Sequence, residues 1–141
     1  MKFHIRFVAL TAALAVAASP AAAHHSFAMF DNSRSITIHG KVTQYQFTNP
    51  HSYLDIDADK AVGEGAKAQH YTLEMTSPNM LVRGGWSSRT VHAGDEVTAV
   101  VAPLRDGRPG GLLLELVLPG GKHMLPGVPQ AQTYKRTTTA S

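Results

Sequence analysis

The 141-residue chain contains no cysteine. That absence excludes disulfides, thiolate nucleophiles and cysteine-ligated metal sites, so the fold must rest on packing alone. Charge of either sign is scarce, with Asp, Glu, Lys and Arg making up 16% of the residues. The net charge of +3 includes Lys2 and Arg6 at the very start, and the remainder is nearly balanced. No basic run interleaved with aromatics appears, which argues against a nucleic-acid partner. A membrane-spanning helix needs roughly 20 apolar residues, and no run reaches that length. Neither a G-x-S-x-G elbow nor an H-E-x-x-H zinc motif is present. No catalytic residue can be assigned; an enzyme, for example one with an oxidising copper site, is a third and minor reading.

The apolar run that does occur lies at the start. Lys2 and Arg6 precede Phe7–Ala18, Pro20 breaks the run, and Ala21-Ala22-Ala23 has the small residues of a cleavage site. This is the pattern of a secretory signal peptide. Residues 1–23 are therefore expected to be removed, which places the protein in the periplasm or outside the cell. Cleavage after Ala23 makes His24 the new N-terminus; cleavage after Ala21 would leave the histidines two residues in.

The remaining chain has the length of one small domain. Residues 24–34 read as an arm that Phe27, Met29 and Phe30 could pin to the body. In "SITIHGKVTQYQFTNP", Ile36, Ile38 and Val42 alternate with polar residues and Gly40 falls on their face. The apolar phase then shifts to Tyr45 and Phe47. Such a phase change, with an interior glycine, predicts a long strand bent at a bulge. Asn49-Pro50 gives a turn. "SYLDIDA" predicts a second strand, with Leu54 and Ile56 on one face, and residues 59–68 read as a polar loop. "HYTLEM" predicts a third, with Tyr71, Leu73 and Met75 together and Glu74 opposite. "SPNMLVRGGW" predicts a short helix with Ser77 as N-cap and Gly84-Gly85 at its end. "GDEVTAVVAPL" and the almost wholly apolar "LLLELVL" predict two more strands around the "RDGRPGG" turn. Residues 126–141 read as a disordered tail. Five strands with one helix between the third and fourth predict a mainly β fold, an OB-like, partly open barrel over 24–125, with a small sandwich as the alternative. Unpaired barrel edges leave both monomer and dimer open.

Of eight histidines, only His4 falls in the leader. His39, His70, His92 and His123 taken singly read as surface or satisfied residues. His24 and His25 differ chemically. A free α-amine on His24 would have an unperturbed pKa of about 7.7–8 and could close a chelate ring on one metal ion with its own imidazole. With His25 in second position, amine, amide nitrogen and imidazole offer a related set. Nitrogen-rich, roughly planar sites favour copper(II). His51, in the "TNPHSY" turn, is the expected further ligand. The "DIDAD" run lacks the glycine and distal glutamate of a calcium loop and reads as a solvated strand face.

An interaction module is the competing reading, binding a peptide, glycan, small ligand or envelope protein on a barrel face. Tyr45, Asn49, Tyr53, Glu74, Arg83 and Trp86 are its candidate residues, although Trp86 also suits core packing and Arg83 suits the helix dipole.

"HHSFAMFD", "GKV", "TNPHS", "EMTSPNMLVRGGW", "GDEVTAVVAPLRDGRPGG" and "LVLPGGK" together resemble a family of small exported proteobacterial proteins of unknown function. The resemblance runs over roughly His24 to Lys122. It implies no activity. The positions it would mark as functional are His24, His25, Asn49, Pro50, His51, Glu74, Pro78, Arg83 and Trp86. Phe47 departs from the tryptophan expected before the NPH turn.

Overall fold

The computed structural model describes residues 28–128. Its strands are β1 (Ile36–Gln46), β2 (Tyr53–Val62), β3 (His70–Glu74), β4 (Glu96–Pro103), β5 (Gly110–Val117) and β6 (His123–Met124), with helix α1 (Pro78–Arg83) between β3 and β4. β1 through β5 close a barrel in the order β1-β2-β3-β5-β4 and back to β1. Every pairing is antiparallel except β3 with β5. This is the expected mainly β, OB-like barrel with its single short helix. Its expected gap is bridged by a parallel pairing of Thr72, Leu73 and Glu74 with Gly110, Gly111 and Leu112.

β1 pairs with β2 along one edge and β4 along the other. Ile36, Ile38 and Val42 point into the core, and register shifts fall at His39/Gly40 and Val42/Gln44. The second shift turns Tyr45 and Phe47 inward, as the phase change in the sequence predicts. A long strand in a small closed barrel must coil tightly, and Gly40 lies where β2 crosses closest. A Cβ there would sit 2.1 Å from the Asp57 carbonyl oxygen. Gly111 plays the same part at the closure, where a Cβ would meet the Ala102 oxygen at 2.3 Å.

The barrel interior holds Leu54, Ile56, Tyr71, Leu73, Met75, Leu81, Trp86, Leu113 and Leu116, among others. A second cluster lies outside the wall: Phe30 and Val128 cover Val100, Ala102, Leu112 and Leu114. β5 is apolar on both faces because both faces are covered. Of the arm's three candidate anchors, Phe30 is buried, Met29 is exposed and Phe27 lies outside the described residues. Backbone hydrogen bonds from Asp31 N to Pro103 O and from Arg105 N to Met29 O clamp the arm onto the turn after β4. Asp31 then accepts hydrogen bonds from Ser33 and Arg34, which hold its carboxyl down to about 2.

Three local expectations are corrected. Residues 59–62 are not loop: β2 continues to Val62, with Lys60 to Val62 paired against His39 to Thr37. Backbone pairing overrides their polarity, because one side of this strand faces solvent. Ser77 occupies the N-cap of α1, but its side chain makes no capping hydrogen bond. Asp55 is not solvated: it is buried, accepting a 2.6 Å hydrogen bond from Thr72 Oγ1.

Candidate functional site

Asn49-Pro50-His51-Ser52 joins β1 to β2, with a cis Asn49–Pro50 peptide. Hydrogen bonds from Ser52 N to Thr76 O and from Met75 N to Ser52 O tie this turn to the end of β3. The tie brings His51 to Glu74, with Nδ1 2.6 Å from Oε1. The contact is an ion-pair distance that sets Nδ1 against the carboxylate, and Nε2 lies on the far side of the ring. The sequence offers no partner for Glu74, because this pairing depends on where the turn folds back.

Carboxylate pairing is not special to His51. Nδ1 also faces a carboxylate in His39 (Asp59, 3.1 Å), His70 (Asp57, 2.6 Å), His92 (Asp95, 3.8 Å) and His123 (Glu115). What distinguishes His51 is where its partner sits. The Glu74 side chain is 15% exposed, and it lines an open groove of about 440 Å³ on the outside of the barrel. The arm (Met29, Phe30), the cross-strand neighbours Tyr53 and Glu74, and the turn leading into β5 form its walls. Burial raises the Tyr53 phenol above its ordinary value, and the Glu74 charge adds to the shift.

The six residues proposed for one binding face do not share it. Tyr53 and Glu74 lie together in the groove. Trp86 is in the core, 2% exposed, donating from Nε1 to Leu125 O at 2.8 Å. Tyr45 packs its ring against the core, 5.9 Å from the Phe47 ring. Asn49 and Arg83 are exposed, and neither lines the groove. His24 and His25 lie outside the described residues. Among the described residues no group of three or more His, Asp or Glu side chains could hold a metal ion. No helix among them is long and apolar enough to cross a membrane.

The Tyr45 hydroxyl and the Ser52 hydroxyl are buried with no hydrogen-bond partner among the described residues. Burial also pushes the Tyr45 phenol up to about 12. An unpartnered buried hydroxyl opposes folding, so Tyr45→Phe is expected to raise stability by about 1 kcal/mol in urea unfolding. The pH dependence has a definite sign. Above the ordinary value of 10.0 the unfolded phenol loses its proton first, so the wild type loses stability from pH 10 to about 12. The Phe variant should lose less over that window. A Phe variant markedly less stable than wild type would show that the hydroxyl has a partner.

Residues 12–114 match the model of a family of unknown function, DUF6152. No curated protein and no solved structure matches the chain.

Proposed function

The chain belongs to the family of unknown function DUF6152, and from that premise we propose that it is an exported copper(II)-binding protein whose processed N-terminus and His51 share one ion. The observation that carries this reading is the His51–Glu74 pair. A metal-ligating histidine commonly directs its other ring nitrogen to a carboxylate, which fixes the tautomer and raises ligand basicity. Here the Glu74 carboxylate lies 2.6 Å from Nδ1, which leaves Nε2 as the nitrogen for an ion.

The position of the arm adds support. Arg105 Nε donates to Ala28 O at 3.1 Å, and Met29 lines the groove that also contains Glu74. His24 precedes Ala28 by only four residues, a span of at most about 14 Å. With His51 as the one nitrogen ligand among the described residues, the α-amine and imidazoles of His24 and His25 would supply the rest. The role that fits such a site is a carrier or buffer.

The test compares the processed protein, starting at His24, with the same chain carrying one extra N-terminal Met. The processed form is expected to take up one tight copper equivalent. The extended form should bind far more weakly with an unchanged circular dichroism spectrum. Glu74→Gln should weaken binding by about 10- to 100-fold, the range seen when such carboxylate partners are removed. Undiminished affinity in the extended form would overturn the proposal.

A further inference from the structure

We infer that the outer groove is a binding site for a small organic amine, a cationic head on an apolar body, with Glu74 as its counter-ion. The Thr72 hydroxyl is already committed as a donor to Asp55. Arg108, the one cation of the lining, pairs through Nε with Asp106 Oδ2 at 2.7 Å, and both side chains are exposed to solvent. Glu74 uses Oε1 toward His51 and has no partner on Oε2 among the described residues. A carboxylate offers about four lone-pair sites, so capacity to accept remains. The open oxygen of Glu74 is therefore the acceptor the groove presents, and a ligand complementary to it donates a hydrogen bond and carries positive charge.

The rest of the lining specifies the body. Met29, Leu104 and Pro109 form apolar walls, and Tyr53 sets an aromatic ring beside Glu74. An aromatic face next to a carboxylate favours an ammonium group on both counts. A volume of about 440 Å³ falls in the usual range for small-molecule sites, roughly 300–1,000 Å³. Gly110 and Gly111, on the β5 side, carry no side chain into this space. Glu74 also serves the copper reading, but amine binding needs no histidine and no residue before Met29, so His51→Ala separates the two.

The probes are phenethylamine, its neutral analogue 2-phenylethanol and its anionic analogue 3-phenylpropionate, titrated in mildly alkaline buffer and followed by two-dimensional amide NMR. Phenethylamine is expected to saturate, with shifts centred on Tyr53, Glu74 and Leu104. A hydrogen bond to a charged group contributes about 1.5–3 kcal/mol, so the alcohol and the Glu74→Gln variant should each bind about tenfold weaker or worse. The anion should not bind. Arg108→Ala should bind the amine as well as wild type or better. His51→Ala should keep amine binding while binding copper more weakly, which separates failure of this inference from failure of the metal reading. Equal binding of the carboxylate, amine affinity indifferent to Glu74→Gln, or no saturation by phenethylamine would each overturn the inference.

Discussion

Gly40→Ala is expected to lower the urea midpoint by the equivalent of at least about 3 kcal/mol, a large share of the 5–15 kcal/mol typical of a small domain. The cause is backbone overlap. The added methyl would lie 2.1 Å from the Asp57 oxygen and 2.6 Å from the Ala58 Cα. Neither atom can swing away as a side-chain tip could. Relief requires β1 and β2 to separate at the register shift, where β1 also holds Val97 of β4. Gly85→Ala is the informative control. Gly85 has a φ of +83° and nothing within 4 Å of its would-be Cβ, so its cost should be only the left-handed penalty of about 1–2 kcal/mol. Urea unfolding by circular dichroism checks both. Similar midpoints for the two variants would show that the β1–β2 crossing is looser than described.

Trp86→Ala should be comparably severe, at about 3–5 kcal/mol, the usual range for removing a large aromatic side chain from a core. Trp86 heads the fully buried side chains by volume. Its indole also holds the segment after β6 through the Leu125 oxygen, and that segment leads on to Val128 in the outer cluster. Loss of the ring therefore loosens two places at once. Trp86→Phe separates the effects: it keeps most of the apolar volume but leaves the Leu125 oxygen without its donor, for a loss of about 1–3 kcal/mol. Differential scanning calorimetry reads the series directly. An alanine variant melting within a few degrees of wild type would contradict the placement of Trp86 in the core.

What the sequence could and could not convey follows from the range of each interaction. The inward faces of β1 and β3 were legible because alternation is local: Ile36, Ile38 and Val42, then Tyr71, Leu73 and Met75, are all buried. The short helix was legible from Ser77, Pro78 and the glycine pair. The length of β2 was not, because Asp59 and Lys60 lie on a solvent-facing stretch whose strand state comes from β1. Barrel closure was also hidden. It rests on three parallel residue pairs between segments far apart in the chain, and only the glycines at 110 and 111 hint that backbones approach there. For the candidate site, His51 could be picked out as a turn histidine, but its partner Glu74 could not. That carboxylate looked like an outward strand residue until the turn folded back onto β3. Trp86 read better as core than as a ligand contact, and its burial agrees, whereas Tyr45 was a ligand-face candidate whose ring packs against the core.

The central claim is that His51 ligates copper together with the processed N-terminus. Its most direct test is electron spin resonance of the correctly processed, one-equivalent copper protein beside His51→Ala, with mass spectrometry fixing His24 as the first residue. The account predicts a nitrogen-rich spectrum in the wild type that loses one imidazole coupling in the variant, with weaker binding. Identical spectra and affinities in the two proteins would contradict it, and would leave His51 and Glu74 as a pair that merely fastens the turn to β3.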